Sequence, residues 1–269
     1  NPDVSVTLAK IRSTKSDKIC VVSDFDRTLT KAFIGGTDAP TGLSIFHNGD
    51  FLRPNYAQRA QALWEYYYPL EIQKTLDDTQ RSIILQEWYE KHVSLFHEYS
   101  LSKSIIQQAA RSEKIVLREQ TKDFISYFQQ RHIPFFVFSA GSGDVIKEVF
   151  AYHNINHESL LICSNYFSYN EDDIVTGFSS DIMHSYNKHK INLQTHGISH
   201  TDIDIQSLIV CGDSVKDPLM AEQFGAKTVL KIGFCHDITR LAEYRELYDV
   251  VVTGDGSFAE ILSLLSLSV

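Results

Sequence analysis

Apolar positions along this chain keep two rhythms. In the first, short runs rich in β-branched residues alternate with stretches of helical spacing. The runs at 18–23 (KICVVS), 134–139 (PFFVFS), 160–163, 207–211 (SLIVC), 227–232 and 250–252 predict buried strands. Helical spacing at 119–130, 144–153, 185–194, 215–224 and 258–265 predicts the helices between them. Residues 165–178 alternate as a hairpin does, with Asn170-Glu171-Asp172 at the turn. Uninterrupted apolar strands separated by helices predict a parallel sheet covered on both faces.

The second rhythm fills the stretch from Asn55 to about Ala110. Leu63, Tyr66, Tyr67 and Leu70 recur at three and four, and Ile84, Trp88, Val93 and Phe96 follow less regularly. Pro69 and Asp77-Asp78-Thr79 are expected to break this block into separate helices. Residues 1–17 are polar and unpatterned, a surface lead-in, and 31–53, with Gly35, Gly36, Pro40, Gly42 and Gly49, read as loop. The expected fold class is α/β: a Rossmann-like parallel sheet with helices on both faces plus an inserted α-helical cap. The core would comprise 1–32 and 116–269, and the cap 33–115.

Composition narrows the function. Of 269 residues, 43% are apolar and 22% charged, with 13 Gly and 6 Pro, which excludes a disordered or collagen-like chain. The longest apolar run, 133–140, falls well short of the roughly 20 residues a membrane span needs. No signal-peptide pattern opens the chain. The net charge of −9 argues against a nucleic-acid polymer as partner but permits a small phosphate substrate. Cys20, Cys163, Cys211 and Cys235 form no CxxC pair and are expected to be buried, reduced thiols, which points to a cytoplasmic location. A monomer or weak oligomer is expected.

Candidate chemistry gathers where strands end. The first strand runs into Asp24, Asp26 and Thr28, the next into Ser139-Ala140-Gly141, and SLIVC into Gly212-Asp213-Ser214 with Asp217 four residues after Asp213. In open α/β sheets ligands bind outside the carboxyl ends of the strands. Like charges 4 Å apart cost about 4 kcal/mol at an effective dielectric near 20, so such a set needs neutralising. A hard divalent cation such as Mg²⁺ fits oxygen donors, and Lys188 supplies a further charge for phosphoryl oxygens. Gly141-Ser142-Gly143 lacks the third glycine of a dinucleotide fingerprint and reads as backbone that approaches a phosphate. His184/His189 and His196/His200 lack the glutamate of HExxH and are expected at the surface.

The order DFDRT, Ser139, Lys188, GDSVKD resembles the haloacid dehalogenase-like superfamily of phosphohydrolases. The resemblance extends through Tyr67–Glu71, Glu87-Trp88-Tyr89, Phe138–Asp144, Ser164-Asn165, Phe178, Asn187-Lys188-His189 and Leu230–Phe234 to the cytosolic pyrimidine 5′-nucleotidase (cytosolic 5′-nucleotidase III) family. It implies a Mg²⁺-dependent hydrolase of UMP- or CMP-like nucleoside monophosphates, with some phosphotransfer, working through an aspartyl-phosphate on Asp24. The alternative substrate is another small phosphomonoester, phosphoserine included. By the resemblance, Asp26 is acid and then base, and Thr28, Ser139, Ala140, Gly141 and Lys188 bind phosphate. Asp24, the Asp26 carbonyl and Asp213 hold the metal, and Asp217 orients a water or Lys188. Asn165 orients Lys188 or the phosphate. Glu71 reaches the nucleoside, and Trp88, Tyr89 and His92 wall its base. Arg27 and His92 depart from the family pattern. Arg27 is read as pairing with a cap acid, meeting an extra substrate charge, or lying at the surface.

Overall fold

The computed structural model describes residues 4–47, 51–191 and 204–265. Its central sheet has six strands in the order β10-β9-β8-β1-β4-β5, all adjacent pairs parallel. These are β1 (Ile19–Ser23), β4 (Phe135–Ser142), β5 (Leu161–Asn165), β8 (Ser207–Gly212), β9 (Thr228–Cys235) and β10 (Val250–Thr253). All five residues of β1 are buried, as a central parallel strand requires. Period-two alternation sends Ile19 and Val21 into the larger apolar cluster on one face, and Cys20 and Val22 into a second cluster with Phe136, Phe138, Leu208 and Val210 on the other.

The strands expected from the apolar runs are all present, and so is the hairpin, as β6 (Phe167–Tyr169) and β7 (Val175–Phe178). Helices α5 (Thr121–Gln129), α6 (Gly143–Tyr152) and α8 (Ala259–Leu265) also lie where spacing put them. Between β1 and β4 the chain runs through α2 (Tyr56–Glu71), α3 (Asp78–Glu98) and α4 (Lys103–Ala110). The break at 77–79 is real: Asp77 caps α3 in a reciprocal capping box with Gln80. Tyr56, Ala60, Val93, Leu95, Phe96 and Tyr99 of this helical block join the same apolar cluster as Phe25 and Phe46, so the block and the sheet share one core.

Several expectations are corrected. Residues 1–17 are not a bare lead-in: α1 (Val4–Ser13) buries Leu8 and Ile11 and packs against β9 and α8. Pro69 does not end α2, which continues through it to Glu71. Residues 31–53 contain a two-residue hairpin, β2 (Phe33–Ile34) with β3 (Thr37–Asp38). Among the described residues of 185–194 there is only a 3-10 turn at Lys188–Lys190, and 215–224 is a 3-10 segment, Asp217–Gln223. His184 is buried, and its Nδ1 accepts from the Tyr186 N–H at 3.3 Å. His196 and His200 lie outside the described residues. A helix absent from the sequence reading, α7 (Leu241–Leu247), precedes β10. The four cysteines are free and buried, and burial pushes the Cys20, Cys163 and Cys211 thiols up, which makes them unreactive. No helix among the described residues is long and apolar enough to cross a membrane.

Where α2 and α3 meet the 31–53 loop, His47 and His92 stack at 4.8 Å with their Nε2 atoms 2.9 Å apart, and the Tyr56 hydroxyl lies 3.2 Å from His92. Burial pushes His92 down to about 3 and His47 down to about 4. Above the ordinary histidine pKa near 6.5 both rings are neutral, folded or unfolded. As pH falls from there towards about 4, the unfolded chain takes up protons that the folded chain refuses, so stability drops. The slope is up to about 1.4 kcal/mol per pH unit per histidine. Urea midpoints measured between pH 7 and 4.5 should show this fall, with a shallower slope in His47→Gln; equal slopes would assign the acid sensitivity elsewhere.

Candidate active site at the carboxyl edge of the sheet

The turn after β1 is built to aim two carboxylates. The Asp24 N–H still pairs with the Cys211 carbonyl of β8 at 2.9 Å, so Asp24 stands at the strand mouth and is only 5% exposed. Phe25 is buried in the core, and its carbonyl accepts from the N–H groups of Thr28, Leu29 and Thr30, closing a tight turn with Arg27 at φ 59°. Asp26 reaches across the turn, where its Oδ1 accepts from the Gly42 N–H at 2.8 Å. A Cβ on Gly141 would lie 3.0 Å from Asp26 Oδ2, so glycine there lets the 140–142 backbone close on that carboxyl. Thr28 is fully buried, and its hydroxyl has no hydrogen-bond partner among the described residues.

The fourth motif folds back on itself. Asp217 Oδ2 accepts from the N–H groups of Asp213 and Ser214 at 3.1 and 2.9 Å, and its Oδ1 accepts from Lys188 at 3.2 Å. This reach-back and Pro218 hold 217–223 as a 3-10 segment instead of the expected α-helix. Lys188 also donates to Asp24 Oδ1 at 2.5 Å and is 8% exposed. Carboxylate oxygens of Asp24, Asp213 and Asp217 all lie within 4.8 Å of one another.

On the other side, Ser139 Oγ accepts from the Gly141 N–H at 3.0 Å. Ser164, whose hydroxyl donates to the Ser139 and Gly141 carbonyls, supports this bend from β5. Asn165 donates to Ala140 O and Met183 O and accepts from the Met183 N–H, so it fastens the 139–142 bend to the segment that leads to Lys188. The sequence-predicted set Asp24, Asp26, Thr28, Ser139–Gly141, Lys188, Asp213 and Asp217 thus meets at one rim of the sheet.

Electrostatics make the rim hungry for positive charge. Burial, then the neighbouring Asp24, pushes Asp26 up to about 7; burial, then Asp217, pushes Asp213 up to about 7. Asp24 is also raised, by burial against the opposing pull of Lys188. Burial disfavours the Lys188 charge, but Asp217 and Asp24 outweigh it and keep the ammonium protonated. One lysine leaves the acids under-neutralised. Their all-oxygen, anionic donors suit a hard divalent cation.

The helical block sends two predicted residues, Tyr89 and Glu71, towards this rim. The Tyr89 hydroxyl donates to the Ala140 carbonyl at 3.0 Å. Glu71 is half-buried and accepts from the Ser185 hydroxyl at 3.4 Å, and burial raises its pKa. Trp88 lies parallel to Tyr67 at 5.8 Å, and its buried indole N–H has no partner among the described residues. His92 differs: it is bound to His47 and Tyr56 in the joint described above, and the structure does not bring it to the acidic cluster. Arg27 is half-buried, and its charge acts on Asp26 and Asp213.

A profile of the pyrimidine 5′-nucleotidase (UMPH-1) family matches residues 27–267. The chain belongs to that family. Over 265 residues it is 31% identical to the human 7-methylguanosine phosphate-specific 5′-nucleotidase, covering 97% of this chain and 88% of that one. Among solved structures it is similar to cytosolic 5′-nucleotidase IIIB bound to cytidine, with TM-score 0.87 and 27% identity over 99% of this chain and 91% of that one. A HAD family hydrolase from Salmonella enterica serovar Typhi shares the fold alone, with TM-score 0.60 at 14% identity over 94% and 72% of the two chains. The chain is a 5′-nucleotidase, a phosphoric monoester hydrolase on the haloacid dehalogenase-like α/β fold.

In this 5′-nucleotidase the supports of the motifs went unread in the sequence. Arg118, only 1% exposed, donates to the Arg27 and Thr28 carbonyls at 2.7 and 3.0 Å, to Gly254 and Gly256, and stacks on Phe234. It fixes the exit of the turn that follows β1 from behind. Gly42 holds Asp26, and Tyr244 and Tyr248 hold the Asp213-Ser214 loop. Only the GDxxxD glycine carried a signal: a Cβ on Gly212 would stand 2.3 Å from the Asp217 Cβ. Gly212→Ala should therefore push Asp217 off Lys188, costing about 1–3 kcal/mol of stability and most of the turnover. Thermal melts and kcat on the folded variant check this; wild-type kcat would show that Asp217 need not sit there.

Proposed function

We propose that this chain is a Mg²⁺-dependent phosphomonoesterase that hydrolyses nucleoside 5′-monophosphates through an aspartyl-phosphate on Asp24. What carries the reading is the convergence of Asp24, Asp213 and Asp217 around Lys188 at the strand ends. Asp24, the Asp26 carbonyl and Asp213 would hold the cation, which when bound supplies charge stabilisation for the phosphoryl group. Lys188, the Thr28 and Ser139 hydroxyls and the backbone N–H groups of Ala140 and Gly141 hold the phosphoryl oxygens. Asp24 attacks phosphorus as the bond to the ribose O5′ breaks, and Asp26 gives that oxygen its proton. Asp26 then takes a proton from the water that attacks phosphorus and frees Asp24. Its pKa near 7 suits both tasks, since both protonation states are populated near neutrality. Asp217 keeps Lys188 in place.

The segment 33–115 acts in this reading as a cap over the nucleoside, and 1–32 with 116–269 as the catalytic core. The Trp88–Tyr67 pair and Glu71 would meet the base and sugar, and UMP- and CMP-like substrates are the first choice. A second reading is favoured by the same aromatic pair. A 7-methylated guanine carries a positive charge, which aromatic faces and a nearby carboxylate attract. An aspartyl-phosphate also accepts alcohols, so transfer of phosphate to a nucleoside is expected alongside hydrolysis. A cytoplasmic location accords with the cytosolic naming of the structural relative.

Phosphate release should disappear with EDTA and return with Mg²⁺. It should rank UMP, CMP and 7-methyl-GMP above phosphoserine and p-nitrophenyl phosphate. Parity across that panel would remove the nucleotide reading while leaving the chemistry. Asp24→Asn should lower kcat at least about 10³-fold with the melting temperature kept; a folded variant with substantial turnover would remove the covalent step.

A further inference from the structure

Asp213 belongs to a loop that no strand or helix holds, yet its backbone is pinned on both sides. The N–H groups of Asp213 and Ser214 both donate to Asp217. The carbonyls of the same two residues accept from the hydroxyls of Tyr244 and Tyr248, the latter at 2.6 Å. The two tyrosines come from α7 and the residue just after it, four positions apart, with their rings nearly parallel at 5.6 Å and both side chains buried. Room for them is made in the sheet: a Cβ on Gly233 of β9 would lie 2.6 Å from the Tyr248 ring. Burial raises both phenols, so they stay protonated donors. Their rings sit with Cys235 in a small apolar cluster apart from the two main cores, so the hydroxyls are not needed to close the core.

With N–H and carbonyl both fixed, the Asp213 carboxylate keeps only its side-chain torsions free. We propose that Tyr244, backed by Tyr248, is a positioning residue that presents Asp213 as a preformed ligand to a divalent cation. This rests on the metal reading given above. Groups that hold a metal ligand from behind typically contribute about 10–100-fold to affinity. Removing one hydroxyl while keeping its ring should therefore weaken the site without emptying the cluster.

The test is calorimetric titration of Mg²⁺ into the full chain as wild type, Tyr244→Phe, Tyr248→Phe and, as a control on an exposed ring, Tyr152→Phe. Melting temperatures are recorded in EDTA alongside. The proposal expects Kd to rise about tenfold in Tyr244→Phe, with the melt in EDTA unchanged. The Mg²⁺ concentration for half-maximal activity should rise by the same factor, and Tyr152→Phe should bind as wild type does. A Tyr244→Phe Kd within twofold of wild type overturns it. Should Tyr244→Phe not fold, Tyr248→Phe decides on the same criterion. Wild-type chain that binds no Mg²⁺ would instead overturn the metal reading, and the inference with it.

Discussion

Mutual repulsion among buried carboxylates is the constraint around which this edge of the sheet is arranged. Asp24, Asp213 and Asp217 stand within one coordination sphere of each other, and Lys188 bonds two of them. The arrangement is unequal. Asp217 has both oxygens taken, one by Lys188 and one by two backbone N–H groups, so it is a fixture. Asp26 and Asp213 keep their pKa near 7, which marks them as the groups whose charge is still unsettled. Under the proposed function, a proton would satisfy the first and a cation the second, and this division into fixed and unsettled acids would let one cluster both bind an anion and move a proton.

Reading this from sequence worked where the signal is local. A short, β-branched run such as ICVVS reads as a buried strand, and DxDxT directly after it falls at the strand mouth. The GDxxxD spacing carries its own reason, since Asp217 must fold back over Gly212 to reach the Asp213 N–H. Signals failed where the partner is distant in the chain. Arg118 looks like any helix-flanking arginine until Arg27, Thr28, Gly254 and Gly256 are brought to it. Tyr244 and Tyr248 lie in a short segment with no apolar stripe of its own, and α1 buries only Leu8 and Ile11. His92 is placed by resemblance alone, and a resemblance does not say which neighbour a helix face meets. The neighbour here is His47, on the loop that its glycines made look empty.

The helical block joins the core in two ways. At its root, Tyr56, Ala60, Val93, Leu95 and Phe96 are buried in the shared cluster, where Phe96 meets Phe46 and Phe167 edge-on. Towards the tip, Trp64, Tyr68, Ile72 and Ile83 face solvent, and many of the links to the core are polar. Among them are Lys216 to Asp78 at 2.9 Å, Ser185 to Glu71 at 3.4 Å and Tyr89 to the Ala140 carbonyl at 3.0 Å, beside ring contacts of Tyr89 with Phe178 and of Arg81 with Tyr186. Partly exposed ion pairs contribute about 0–1 kcal/mol each, and a buried aromatic contributes several times that. Root and tip therefore differ steeply in what it takes to separate them. Under the proposed function, water must be kept out while the ester breaks and let in while the aspartyl-phosphate is hydrolysed. A block fixed by its aromatic root and fastened at its tip by a few weaker contacts would meet that need by tilting about the root, which would carry Tyr89 and Glu71 away together and leave the shared core intact.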